Sequence, residues 1–219
     1  MPKRVRMVAE IIGDRCTGCK LCVQVCPTVA LSVRDRCPDE PGPGKRIAEL
    51  APEACYNAQA CLEICPERAI VMHELEEPFD VGLDPASVDP AAVVELCMRA
   101  GHPPKRKLCL CTDTSAEEIA AATVAGARGP EQVSLMTGAR TGCVELCLQP
   151  ILEFLAAAGH GDEPKNPKNG FQWYGRSATL FEHLRPDGSF PEEIVEEFRE
   201  FDLDRETADL ARLLLTMKG

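Results

Sequence analysis

The sequence predicts an α+β protein: a duplicated β-α-β unit, then a small all-helical module, then a helical C-terminal tail. Three observations lead there. Cys16, Cys22, Cys26 and Pro27 recur 39 residues later as Cys55, Cys61, Cys65 and Pro66, so the first third of the chain is an internal repeat. A second group, Cys109, Cys111, Cys143 and Cys147, lies among strong helix start and stop signals. The last sixty residues hold no cysteine.

The repeat extends beyond its thiols. Val8-Ala9-Glu10-Ile11 matches Ile47-Ala48-Glu49-Leu50, and Ala30-Leu31 matches Ala69-Ile70. Each half reads as a short strand, a cysteine-rich loop, a helix of one or two turns and another strand. Residues 37–44 form a turn-rich loop between the halves. The first domain is therefore expected over 1–74. Residues 75–104 read as linker and helix: the acidic stretch near 74–84 is broken by Pro78 and Gly82, and a helix opens with Asp89 as N-cap and Pro90 at its first position.

Residues 105–159 form the second cysteine module. Ser115 and Glu118 make a capping box that starts a helix running to about Ala125. Gly129-Pro130 opens a second helix that ends at Gly138, and Thr141-Gly142-Cys143 leads into a third. Residues 160–219 read as a docking tail with acidic helices near 191–201 and 204–217. Its aromatic patch, Phe171, Trp173 and Tyr174, either anchors a partner or pins the tail to the protein's own surface.

Thirteen cysteines in 219 residues require an explanation, either disulfides or metal. The basic start, Lys3-Arg4-Val5-Arg6, is followed by no apolar h-region, and no apolar run reaches membrane-spanning length. The expectation is a cytoplasmic chain without a membrane span, whose reduced thiols bind metal. A net charge of −11 and a pI of about 4.9 exclude nucleic acid as a natural partner. A basic docking face on another protein is the natural complement.

Cys16-x2-Cys19-x2-Cys22-x3-Cys26-Pro27 is the densest signal. Three thiolates on one tight loop suit three irons of a cubane, while the fourth, read as opening a helix, faces a neighbouring cluster. Over residues 5–73 the chain resembles the bacterial two-cluster ferredoxins. That resemblance implies that Cys16, Cys19, Cys22 and Cys65 hold a first [4Fe–4S] cluster, and that Cys26, Cys55 and Cys61 belong to a second. The repeat calls for a cysteine at position 58, where the residue is Ala58. The second site is then a [3Fe–4S] cluster, a [4Fe–4S] cluster completed by Cys37 or a non-protein ligand, or an empty set of relic thiols.

In the second module Cys109-x-Cys111 and Cys143-x3-Cys147 make four ligands, enough for the two tetrahedral irons of a [2Fe–2S] rhombus. Four thiolates also suit zinc. Lys107-Leu108-Cys109-Leu110-Cys111, the run from Glu117 to Ala121 and Thr137-Gly138-Ala139 together resemble the bacterioferritin-associated ferredoxins. The resemblance implies a small helical [2Fe–2S] module ligated by Cys109, Cys111, Cys143 and Cys147. The family's second pair is usually C-x2-C, where this chain has C-x3-C.

Cys97 falls on an apolar helical stripe with Val93, Val94 and Leu96 and reads as a buried structural thiol. His73, His102, His160 and His183 show no ligand spacing. Lys105-Arg106-Lys107 either offsets cluster charge or forms a solvated turn. No nucleophile–base pair, phosphate loop or dinucleotide fingerprint is present. The expected function is an iron–sulfur electron-transfer subunit of a multi-subunit cytosolic oxidoreductase, non-catalytic itself. Its expected partners are a larger catalytic subunit and a soluble redox carrier. A free ferredoxin carrier and an iron-handling adaptor are the alternatives.

Overall fold

The structure is a computed structural model that describes residues 3–161, 174, 185, 189–200 and 203. The chain forms two compact units, Met1–Arg176 and Ser177–Gly219. Both cysteine modules lie in the first unit. The architecture is mixed, with short helices and small antiparallel two-stranded sheets.

The first half of the repeat runs from strand β1 (Lys3–Ile11) through a cysteine loop and helix α1 (Leu21–Val25) to β2 (Leu31–Asp35). The second runs from β3 (Arg46–Leu50) through an equivalent loop and helix α2 (Ala60–Ile64) to β4 (Ile70–Val81). The halves exchange strands: β1 pairs with β4, and β2 with β3. Ile11 faces Ile70 and Leu50 faces Leu31, so the register itself repeats with the 39-residue offset. Val5, Val8, Ala9, Leu31, Ile47, Ala48 and Ile70 are buried together with Cys16, Cys22, Cys55 and Cys61 in one core. Apolar burial on both sides of the thiols is what places them inside.

The acidic stretch expected as a linker is strand. β4 continues through Pro78 to Val81 and pairs with β1 as far as Lys3, with a register shift between Val5 and Met7. Pro78 fits there because a two-stranded ribbon is all edge. Phe79 packs against the first core and Val81 is buried in it, which outweighs the charge on the opposite face.

The helix expected within the connecting region belongs to the second core. Helix α3 (Pro90–Arg99) starts at Asp89, whose side chain accepts from the Ala91 N–H, and buries Val93, Leu96 and Cys97. Val94, expected on that stripe, is exposed, because positions 93, 96 and 97 share a helical face and 94 does not. The module is not all-helical: a short hairpin of β5 (Lys107–Cys109) and β6 (Thr114–Ser115) carries Cys109 on its first strand and Cys111 in its turn.

Helix α4 (Ala116–Val124) is the central element. Its capping box forms, with the Ser115 N–H donating to the Glu118 carboxylate and the Glu118 N–H to Ser115 Oγ. Ala116, Ala120, Ala121 and Ala122 are fully buried, and such small side chains let α3, α5 (Pro130–Thr137) and α6 (Leu148–Ala157) approach closely. Ile119, Val133, Ile151, Phe154 and Leu155 fill the space between them. The third helix starts later than expected, at Leu148 rather than near Cys143.

Of the tail, α7 (Glu192–Glu197) lies within the acidic helix expected near 191–201. Phe190 and Leu203 are buried. The helix expected over 204–217, Phe171, Trp173 and His183 lie outside the described residues.

Candidate metal centres

Three cavities collect eleven of the thirteen cysteines. The first is lined by Cys16, Cys19, Cys22 and Cys65. The second is lined by Cys26, Cys55 and Cys61 together with Ala58, Thr28 and Tyr56. The third is lined by Cys109, Cys111, Cys143 and Cys147, with Leu110 and Leu146 at its rim.

In the first two cavities the backbone does the positioning. Left-handed residues bracket the second thiol position of each loop: Gly18 and Lys20 around Cys19, Asn57 and Gln59 around Ala58. Val29 and Arg68 adopt the same conformation after each helix. Gly18 is required, because its φ is +67° and a Cβ there would lie 2.6 Å from the Arg46 carbonyl oxygen. Cys26 and Cys65 close α1 and α2 rather than opening a helix, so each faces away from the loop that precedes it.

Backbone donors converge on the sulfurs. The Ala48 N–H donates to Cys16 Sγ at 3.3 Å and the Ala9 N–H to Cys55 Sγ at 3.4 Å. The Ala30 N–H donates to Cys26 Sγ at 3.2 Å and the Ala69 N–H to Cys65 Sγ at 3.3 Å. Such bonds stabilise thiolate sulfur and tune an iron–sulfur centre. Burial works the other way. It pushes the Cys22 thiol up to about 11, with Cys19 and Cys16 adding to it, and Cys61 up to about 12, with Cys26 and Cys55 adding to it. Thiolates in these cavities therefore require a cationic partner, which bound iron would supply.

The second cavity is as large as the first without the fourth thiol, about 20 Å³ each. Cys37 does not reach it. Leu31 and Leu50 line the second cavity, whereas Cys37 lies beyond Asp35 and Arg46 at the opposite end of the β2–β3 ribbon. There Arg34 grips the Glu40 carboxylate at 2.7 and 2.8 Å, and that carboxylate accepts from the Cys37 N–H. Arg36 ties the same loop to the Gly13 and Cys16 carbonyls, on the side of the first cavity.

In the third cavity the thiols meet as two pairs. Cys109 and Cys147 are buried, and a bond from the Cys147 thiol holds Cys109 down at about 5, while Cys147 is pushed up. Thr112 Oγ1 also donates to Cys109 Sγ at 3.1 Å. Cys111 and Cys143 are exposed, with the Cys143 N–H 3.4 Å from Cys111 Sγ. The Leu146 and then the Glu145 N–H hold the Cys143 thiol below its usual range. The late start of α6 has its reason in Val144, whose φ of +68° is left-handed and cannot belong to a right-handed helix that begins near Cys143. Cys147 is the N-cap of α6, at the positive end of the helix. Gly142 makes room for the outer pair, since a Cβ there would lie 2.4 Å from Cys111 Cβ and 2.7 Å from its Sγ. Among the described residues no three His, Cys, Asp or Glu side chains are arranged around a single ion.

The remaining candidates fall elsewhere. Cys97 is fully buried in the α3 face. Lys105 and Lys107 pair with Glu117 and Asp113, each at 2.8 Å. His102 bonds Glu153 at 2.6 Å and stacks on Phe154, while His73 is exposed. Tyr174 is buried, with its hydroxyl donating to Glu131 and accepting from Arg140 at 3.2 Å. Sequence reasoning missed Ala9 and Ala48, although their matched places in the repeat marked them, and Tyr56, which carried no signal.

Both cysteine modules, each with its thiols gathered around cavities, lie in one compact unit. Residues 15–77 match the family model of the 4Fe-4S dicluster domain, and residues 108–157 that of the BFD-like [2Fe-2S] binding domain. The chain carries these two domains in that order, and they imply an electron-transfer role. No curated protein and no solved structure gives a significant match. No helix among the described residues is long and apolar enough to cross a membrane.

Proposed function

We propose that the chain is the electron-transfer subunit of a larger cytoplasmic oxidoreductase. In this reading Cys16, Cys19, Cys22 and Cys65 hold a [4Fe–4S] cluster, Cys26, Cys55 and Cys61 a [3Fe–4S] cluster, and Cys109, Cys111, Cys143 and Cys147 a [2Fe–2S] cluster. The observation that carries it is the gathering of these thiols into three cavities within one unit. Three thiolates suffice for three irons, and the placement of Cys37 favours that form over a cluster completed by this thiol. The clusters supply one-electron chemistry; the protein sets their burial, hydrogen bonding and spacing.

The exit faces the third cavity. Leu110 and Leu146 are each 77% exposed beside Cys111 and Cys143, an apolar rim suited to a transient redox contact. The larger catalytic subunit completes the proposal, and the tail is the segment proposed to dock on it.

Anaerobically purified protein should contain about nine irons, the sum of a four-, a three- and a two-iron site. Changing Cys109 and Cys111 to Ser should remove the [2Fe–2S] spectrum and leave both cubane-type signals. Zinc at that site, or loss of all signals together, would overturn the assignment. Removing residues 177–219 should preserve iron content and abolish co-purification with the large subunit; loss of clusters would make the tail an internal brace.

A further inference from the structure

We infer that the three metal sites lie in a line, with the three-thiol site in the middle, and that Tyr56 sets its approach to the [2Fe–2S] site. The inference rests on the ligand sets just proposed. Helix α1 leads from Cys22 of the first site to Cys26 of the second, and α2 leads from Cys61 of the second to Cys65 of the first. Two short helices therefore couple those two sites.

On its far side the middle site meets the second module at Tyr56, which follows Cys55 directly and lines the middle cavity. Tyr56 also lines a groove that it shares with Leu110, Cys111 and Thr112 of the third site. None of the described residues lining the first cavity borders that groove. The Tyr56 hydroxyl donates to the Leu135 carbonyl in α5 at 2.8 Å, and its ring meets Phe79 of β4 edge-on, with centroids 6.3 Å apart. Two further ties flank it. Lys3 Nζ bonds Glu118 at 3.1 Å and the Thr137 carbonyl, and the Leu83 N–H donates to the Met136 carbonyl at 2.7 Å.

Electron tunnelling falls off exponentially with the gap, so the side chain that fixes a gap governs the rate across it. Transfer along the line moves one electron from a reduced neighbour to an oxidised one. No bond is made or broken, and Tyr56 keeps its proton. Tyr56 is thus a positioning residue: its hydroxyl bond to Leu135 and its ring against Phe79 hold the two modules at their spacing.

The test uses the intact holoprotein. The reduced [2Fe–2S] EPR signal should show relaxation enhancement from a paramagnetic middle cluster. Cys55→Ser, which empties the middle site, should remove it, and Cys19→Ser, at the first site, should leave it. The reverse pattern would overturn the linear order. Tyr56→Phe should slow electron equilibration between the two clusters several-fold after a pulse of dithionite, and Tyr56→Leu should slow it further, beyond what any shift in midpoint potential measured in the same variants accounts for. Equilibration in Tyr56→Phe at the wild-type rate would overturn the positioning role. Iron content and the separate cluster spectra report the ligand assignment independently, so its failure is told apart from failure of this inference.

Discussion

Ala58 stands in the second cysteine loop where Cys19 stands in the first. The left-handed residues that bracket Cys19, Gly18 and Lys20, have their counterparts in Asn57 and Gln59. Ala58 lines the second cavity as Cys19 lines the first. The backbone of a four-thiol loop has been kept, and one sulfur is missing from it.

Ala58→Cys should therefore supply a fourth thiolate without rearranging the loop. Low-temperature EPR of the oxidised wild type should show a three-iron signal. In the variant that signal should disappear, and a reduced four-iron signal should take its place. A persistent three-iron signal would mean that position 58 does not face the cluster.

Gly142→Ala should empty the third site alone. The new methyl would overlap the Cys111 side chain, lying 2.4 Å from its Cβ. Visible absorbance and EPR should show loss of the [2Fe–2S] signal, with both cubane-type signals retained.

Cys37→Ser and Cys97→Ala should both leave iron content unchanged. The first residue is exposed and remote from the second cavity, and the second is packed in α3. Only Cys97→Ala should lower stability, by about 1 kcal/mol for the lost packing, read as a lower urea midpoint.

Glu118 ties the two modules through Lys3 and closes the α4 capping box. Burial alone would raise its pKa, but hydrogen bonding led by the Ser115 N–H, with Lys3 among the contributors, holds it at about 2, below an ordinary value of 4.5. A depressed carboxyl stabilises the fold fully above the unfolded value and loses that contribution as pH falls from there through about 2. The shift corresponds to roughly 3 kcal/mol. Glu118→Gln should lower the urea midpoint near pH 7, and the difference from wild type should narrow as pH falls from 5 towards 3.

The sets of thiols, and the points where α4 and α5 begin, were legible in the chain alone. The motifs depend on local spacing, with three residues between Cys22 and Cys26 and between Cys61 and Cys65, and a capping box needs only Ser115 and Glu118; the grouping of thiols across the repeat came from the family resemblance. Long-range packing settled what spacing leaves open. Burial of Phe79 and Val81 extended β4 through a stretch that Pro78 and Gly82 marked as a break. The face of Val93, Leu96 and Cys97 drew α3 into the second core. Pairing of β2 with β3 carried Cys37 away from the site it was a candidate to complete. The left-handed backbone at Val144 delayed α6. The place of Tyr56 between two sites arises where the modules pack, a contact between residues far apart in sequence for which local pattern holds no sign.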